Sequence, residues 1–444
     1  MGKARSSIER PALLFLSVLL VWIAGEVLSL PLLYVLTGRW YPRSELRATL
    51  NEKPSPERLP AAGEQGPGYM TEHVLHPYVG FVRNPELVHH VFNDRVVTKE
   101  VNRYGFFGPS PMDDGGEDAY WIALTGGSAA LDLFLRKGDL LEDELRRLPG
   151  LPVEKARLFS LALGGFKQPQ QLLALNLFLA LGAPIGMVIN LDGFNEIALP
   201  LAENAPSGVT PLFPRNWKAY AMKGSNPAVA ATINEIFRIR ESTEKWRGFF
   251  SHFPLDRSNL GLTLWHLKWS RNNTKRLRLE ERIRTEMAAD GPLSYQQRGP
   301  SYQPESDEQV LVHSADLWMR ASERMARLCD AEGIDYFHFL QPNQHLPGSK
   351  RLTDWEKRFA VAGPQYPHVQ AVAEGYPLLI ERGERLAREG VSFFDLTGLF
   401  RDVEETAYSD ACCHYNDRGN EILARAIAAK IGERGLESAT PGRE

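Results

Sequence analysis

The sequence predicts an α/β fold built on a mostly parallel sheet, with a helical insertion and one N-terminal transmembrane helix. Three observations point there. Short apolar runs bounded by turn residues alternate with amphipathic stretches, the rhythm of strand–helix–strand units. The stretch from about 200 to 310 breaks that rhythm with helix-like segments alone. Near the start, the 25 residues Ala12–Leu36 carry a single formal charge, Glu26.

The runs Tyr120–Leu124 (YWIAL), Val188–Leu191 (VINL), Tyr336–Leu340 (YFHFL) and Val391–Asp395 (VSFFD) have the length and apolarity of buried parallel strands. Helix-like stretches occupy 168–181, 315–332, 377–389 and 420–431. Ahead of them, 76–108 holds short apolar runs broken by Pro, Asn and Gly, which read as strands and a turn. Pro42–Gly68 is polar and rich in Pro, Glu and Gly, the composition of a linker. The organisation is therefore a tail (1–11), an anchor (12–36), a linker (37–68) and a β lead-in (69–115). There follow two halves of one α/β domain (116–199 and 311–435) around the insertion (200–310), and a tail (436–444). Trp217, Trp246, Trp265 and Trp269 run through the insertion, and large aromatics of this kind more often form core than a ligand platform.

A chain of 444 residues accommodates two or three domain-sized units, or one large domain with insertions. With 43% hydrophobic and 24% charged residues it is ordinary folded protein, which excludes wholesale disorder. A formal net charge of -4 offers no global field for phosphate backbones, so no nucleic-acid partner is expected. Cys329, Cys412 and Cys413 are too few for a disulfide framework and match no zinc spacing.

At about 1.5 Å per residue, Ala12–Leu36 reaches across a hydrocarbon core of about 30 Å. The run continues to the interfacial pair Trp40 and Tyr41, which favours an uncleaved anchor over a signal peptide. Lys3, Arg5 and Arg10 before it are balanced by Arg39, Arg43 and Arg47 after it; the orientation adopted has the N-terminus inside and the folded part extracytoplasmic, periplasmic or extracellular. The opening MGKARS also fits a myristoylation pattern, redundant beside an anchor.

Ligands of open parallel sheets bind beyond the carboxyl ends of the strands. Four such places stand out. After YWIAL, Gly126-Gly127-Ser128 turns sharply and presents a hydroxyl at a helix start, as a nucleophile or simply as turn plus N-cap. After the run Leu158–Leu163, Gly164-Gly165 lets a backbone N–H approach an oxyanion, or is an ordinary turn. After VINL, Asp192-Gly193-Phe194-Asn195-Glu196 offers an Asn amide as donor, or turn chemistry. Near the C-terminus, Asp410-Ala411-Cys412-Cys413-His414 brings an imidazole able to carry a proton near neutrality and a carboxylate able to hold its tautomer.

Taken in this order, Gly126-Gly127-Ser128, Gly165, Gly193-Phe194-Asn195 and Asp410…His414 resemble blocks I, II, III and V of the SGNH/GDSL hydrolase superfamily. The resemblance covers about 119–198 and 311–430 and implies a flavodoxin-like α/β/α sandwich and a serine esterase or acyl-transfer mechanism. Its membrane-anchored Gly-Gly-Ser branch is similar to proteins that add or remove O-acetyl groups on bacterial extracellular polysaccharide. This implies an acylated carbohydrate or other ester as substrate and polysaccharide-synthesis machinery as a partner. By the same resemblance Ser128 attacks the acyl carbonyl, His414 carries the proton and Asp410 orients His414. The N–H groups of Ser128 and Gly165 and the Asn195 amide form the oxyanion hole, and no metal or cofactor is required. Three positions depart from the family's usual pattern, one of them Gly127, which stands for the Asp of Gly-Asp-Ser as in the Gly-Gly-Ser branch. Asp410 stands four residues before His414 rather than three, so the turn needs one extra residue or another carboxylate serves; and Glu196 follows Asn195 in place of Asp.

Gln341-Pro342-Asn343-Gln344-His345 follows a strand and either lines the same cleft, touching substrate hydroxyls, or is a plain loop. Cys412 and Cys413 read as burial beside His414, since adjacent cysteines seldom bridge comfortably. Asn272-Asn273-Thr274 is a glycosylation sequon only in a eukaryotic secretory setting. The competing function is a non-catalytic cell-surface protein that uses the cleft to hold glycan or a partner.

Overall fold

The computed structural model describes residues 5–51 and 72–435, apart from 88–89, 93–94, 98, 115–118, 150–154, 226, 253 and 289–292. Most of the expected linker (52–68) and the C-terminal tail from 436 lie outside these residues. The chain begins with helices α1 (Arg5–Thr37) and α2 (Arg43–Asn51). Strands β1 (His73–His76) and β2 (Gly80–Arg83) pair antiparallel, as do β3 (His90–Phe92) and β4 (Arg95–Val97). Then β5 (Tyr120–Gly126), α3 (Ser128–Arg146), β6 (Ala156–Ser160), α4 (Gln170–Ala180), β7 (Ile185–Asp192) and α5 (Phe194–Leu199) alternate. The insertion holds α6 (Trp217–Ser225), α7 (Pro227–His252), α8 (Asn259–Ala288) and the single turn α9 (Tyr295–Arg298). The chain resumes with α10 (Asp307–Ala331), β8 (Asp335–Leu340), α11 (Asp354–Phe359), α12 (Pro367–Arg388), β9 (Phe393–Asp395) and α13 (Asp417–Arg434).

Five strands make one parallel sheet in the order β6-β5-β7-β8-β9. Their continuous apolarity is explained by burial on both faces. Ile122 and Leu124 point into a cluster with Leu131, Leu141, Leu423 and Ile427 of α3 and α13. Trp121 and Ala123, one residue out of phase, point into a cluster with Phe178, Met325 and Cys329 of α4 and α10. The chain steps from β5 out to β6 and then back across to β7, so the loops after β5 and β7 diverge and open a crevice at that switch point.

Several boundaries differ from the sequence reading. Helix α10 begins at Asp307 because Ser306 caps it, accepting from the Gln309 N–H at 3.3 Å. Helix α12 begins at Pro367 and runs through Pro377, since its stripe of Ala371, Val372, Tyr376 and Leu379 is buried in a cluster with Trp318 and Leu340. Burial there outweighs the broken turn. Residues 43–51, read as linker, form α2, with Leu46 and Leu50 fully covered. Of the insertion's tryptophans Trp265 is core, whereas Trp246 is exposed.

Helices α7 and α8 form an antiparallel hairpin. Glu235 meets Lys275 at 2.5 Å, the Asn272 amide donates to Thr243 Oγ1 at 2.8 Å, and Phe250 packs on Trp265. The sequon asparagine is thus a hairpin strut. Helix α1 is long and apolar enough to cross a membrane over Leu20–Thr37.

A polar network is sealed between β7, β8 and α10. Asp192 Oδ1 accepts from Trp318 Nε1 at 2.7 Å and meets His338 Nε2 at 2.8 Å, while Asp192 Oδ2 accepts from the Asn190 amide at 2.8 Å. The other ring nitrogen of His338 meets Ser322 Oγ at 2.7 Å. Removing the carboxylate leaves an indole, an amide and an imidazole without their buried partner. Asp192→Ala is therefore expected to cost about 3–5 kcal/mol of stability and Ser322→Ala only about 1–2 kcal/mol, measured by denaturant unfolding of the detergent-solubilised chain.

Candidate active site

Three loops after β5, β6 and β7 meet at Gly127. Gly126 has φ +145°, and a Cβ there would lie 2.1 Å from the Leu191 carbonyl oxygen of β7. A Cβ on Gly127 would lie 2.2 Å from Asn195 Nδ2 and 3.1 Å from the Phe166 carbonyl oxygen. No side chain fits at either position without moving the neighbouring strand end or the amide. Asn195 itself is buried and donates from Nδ2 to the Phe166 oxygen at 2.8 Å, tying the loop after β7 to the loop after β6. That second loop turns at Gly165, φ +83°, and is closed by the Phe166 N–H on the Leu163 oxygen at 3.0 Å. Gly127 and Phe166, the neighbours of Ser128 and Gly165, thus both meet the Asn195 amide.

Ser128 is the first helical residue of α3. The N-cap position is Gly127, and no side chain caps the helix. The Ser128 hydroxyl lies close enough to the Cys413 sulfur to favour its thiolate form. Glu196, where the family pattern has Asp, reaches back to accept the Gly193 N–H at 2.8 Å and so fixes the turn that presents Asn195. Burial and the nearby Asp192 push its carboxyl up to about 8.

The second half of the site is the loop Asp410–His414. Asp410 Oδ2 binds His414 Nδ1, so the four-residue spacing does bring this pair together. The extra residue is absorbed by a tight turn in which Asp410 Oδ1 accepts the N–H groups of Cys412 (2.9 Å), Cys413 (3.1 Å) and His414 (3.3 Å). Burial alone would raise the Asp410 carboxyl, but the His414 charge and these bonds outweigh it and hold it at about 2. Burial would likewise lower His414, and Asp410 outweighs that too, pushing the imidazole up to about 10. His414 Nε2 lies 3.9 Å from Cys413 Sγ. The imidazole and the Ser128 hydroxyl therefore flank one sulfur, and Cys413 is the contact through which they meet.

Three consecutive side chains hold this loop from β8's end. The Asn343 amide donates to the Cys412 oxygen at 3.1 Å, the Gln344 amide to the Asp410 oxygen at 2.9 Å, and His345 Nε2 meets the Ala411 oxygen at 2.9 Å. Within Gln341–His345, read from sequence as a cleft lining or a plain loop, these three residues clamp the His414-bearing loop, a role neither reading named. Beneath it, Glu356 is fully buried, paired with Lys350 at 3.2 Å, and accepts the N–H groups of Ala407 (2.9 Å) and Tyr408 (3.1 Å). Sequence reasoning missed it, although Thr353-x-x-Glu356 is a capping-box pattern and the structure forms that box.

Among the described residues, the close group able to hold a metal is Cys412, Cys413 and His414, with donor atoms within 4.8 Å of one another. Metal ligation needs thiolate. Burial raises the Cys413 thiol well above its ordinary range, which opposes that use.

Compared with protein-family models and with curated proteins, the chain matches none.

The Asp410–His414 pair stabilises the fold within a definite pH window. A depressed carboxyl contributes above its ordinary 3.8 and is lost as pH falls towards 2, whereas a raised imidazole contributes below its ordinary 6.5 and is lost as pH rises towards 10. The stability difference between the parent chain and Asp410→Asn should be flat between pH 3.8 and 6.5 and shrink on either side, as read from urea midpoints against pH. Asn343→Ala and Gln344→Ala should each cost about 1–3 kcal/mol and speed amide hydrogen exchange across residues 406–416.

Proposed function

We propose that the chain is a membrane-anchored serine esterase or O-acyltransferase of SGNH type on a flavodoxin-like α/β/α sandwich. The sheet order, 2-1-3-4-5 when its strands are numbered along the chain, supports that fold. The observation that carries the activity is the convergence of a hydroxyl at a helix start, a carboxylate-held imidazole and a side-chain amide donor at one switch-point crevice.

In this reading Ser128 Oγ rotates from the Cys413 sulfur towards His414 Nε2 and attacks the acyl carbonyl. The imidazole takes the hydroxyl proton, Asp410 stabilises the imidazolium, and the proton returns to the leaving alcohol. The Ser128 and Gly165 N–H groups and the second Asn195 amide hydrogen face the oxyanion, the first being held by the Phe166 oxygen. Water or an acceptor hydroxyl then releases the acyl group. By the family resemblance the substrate is a short acyl ester on extracytoplasmic polysaccharide, handled beside the machinery that makes it. The apolar helix α1 supports the anchored location, with the folded part outside.

The rival reading, a glycan- or partner-binding protein on the same fold, draws support from the Ser128 hydroxyl resting on sulfur and from His414 held in its charged form. A fluorophosphonate probe separates the two. The full chain should be labelled and Ser128→Ala should not; a folded parent chain that resists labelling at alkaline pH overturns the enzyme. Asn195→Ala should slow labelling on the order of 10²- to 10³-fold. Because the base form of His414 is the minor one at neutrality, the labelling rate should climb with pH above 7 towards the His414 limb near 10.

A further inference from the structure

We infer that the tip of the α7–α8 hairpin is seated in the outer leaflet beside α1, with lipid acyl chains covering Trp246, Phe249, Leu264 and Leu267. The inference rests on the reading of α1 as the anchor. It starts from Glu26, the one charge in the apolar segment. Glu26 binds the Ser258 hydroxyl, accepts the Asn259 N–H at 2.7 Å, and its backbone oxygen accepts the Asn259 amide at 3.3 Å. One residue earlier, Gly25 approaches Leu260 so closely that a Cβ would lie 2.8 Å from it. The start of α8 is therefore level with Glu26, not with the end of α1.

That level is deep. Glu26 precedes Thr37 by eleven residues, about 16 Å of helix. If the hairpin stayed wholly in water, only Ala12–Gly25 would remain for the bilayer, about 21 Å against a core of about 30 Å. The segment must use residues beyond Glu26 to span, and one face of those residues meets the hairpin: Leu33 is buried with Leu46, Leu50, Phe250, Leu262 and Trp265. The hairpin tip goes into the membrane with them.

The surface chemistry agrees. Trp246, Phe249, Leu264 and Leu267 are 38–50% exposed and lie within about 12 Å of the tip along their helices. Leu28 and Leu32 on α1 are exposed as well. Some of the tip's charges pair: Asp256 meets Arg47 at 2.7 Å and Arg247 meets Glu244 at 3.2 Å, while Arg43 binds the Arg257 backbone oxygen and the exposed side chains of Arg43 and Arg257 are placed to reach the headgroups. A carboxylate inside a span is costly. Here the hairpin supplies the donors that make Glu26 tolerable.

The test is photocrosslinking of the full chain in phosphatidylethanolamine–phosphatidylglycerol vesicles, with benzoylphenylalanine placed in turn at positions 28, 249, 264 and 277. Leu277 is as exposed as Leu264 but lies four to five turns beyond the tip. Lipid adducts are expected at 28, 249 and 264 and not at 277. Adducts at 28 with none at 249 and 264 overturn the inference and leave the anchor standing; none at 28 removes the anchor and the inference with it. Protein adducts in place of lipid at 249 and 264 assign that face to a second chain and also overturn it. As a conservative check, Trp246→Phe should remove part of the tryptophan quenching by brominated acyl chains, and unchanged quenching counts against the proposal.

Discussion

The carboxylate of Asp410 is the constraint on which the site depends. One oxygen gathers three consecutive N–H groups and thereby creates the turn; the other holds His414. A side chain that shapes the backbone and orients the base at once cannot be replaced by a carboxylate arriving from elsewhere, which would orient the ring but leave the turn without an acceptor. The loop's outward carbonyls are then taken by Asn343, Gln344 and His345, so its polar groups are satisfied from both sides. An imidazole held this firmly costs little to reorganise when charge moves through it.

The fold was legible where local pattern and tertiary burial agree. Strands buried on both faces read as unbroken apolar runs, and the residues after β5, β6 and β7 could be singled out because parallel sheets bind ligands there. The candidate residues after those strands were named for the same reason. What could not be read were contacts between side chains far apart in sequence. Nothing local to Gln341–His345 says that its amides serve a loop some seventy residues on, and nothing near Ser128 says that its hydroxyl rests on Cys413. Glu356 and Ser306 belong to another class: both sit in capping patterns that could have been recognised. The helix at 43–51 was hidden by composition, since a polar stretch orders itself only when another element covers its two leucines.

Gly127 shows how the two kinds of information combine. The sequence suggests a flexible turn; the structure shows that flexibility is secondary and that closeness is the requirement. Its missing Cβ is the space occupied by the Asn195 amide. A side chain here would displace the amide donor next to Ser128, so the choice of Gly before Ser128 and the position of Asn195 are one design decision.

The chain contains two carboxylate–imidazole–hydroxyl series, and comparing them isolates what a reactive site needs. Asp192–His338–Ser322 has the better geometry, with contacts of 2.8 and 2.7 Å, yet it is sealed inside the domain and its hydroxyl also meets Tyr336 at 3.2 Å. Each side-chain nitrogen and oxygen of that series has a buried partner, which suits it to stabilising the fold. Asp410–His414–Ser128 is less complete: the hydroxyl lies by the Cys413 sulfur at the head of a helix and is only half-buried. In the proposed mechanism, incompleteness at the hydroxyl is what permits exchange of partners, from sulfur to imidazole to substrate. Residue type and hydrogen-bond length alone would single out Asp192–His338–Ser322; in the proposed reading it is access that sets the half-buried Ser128 apart.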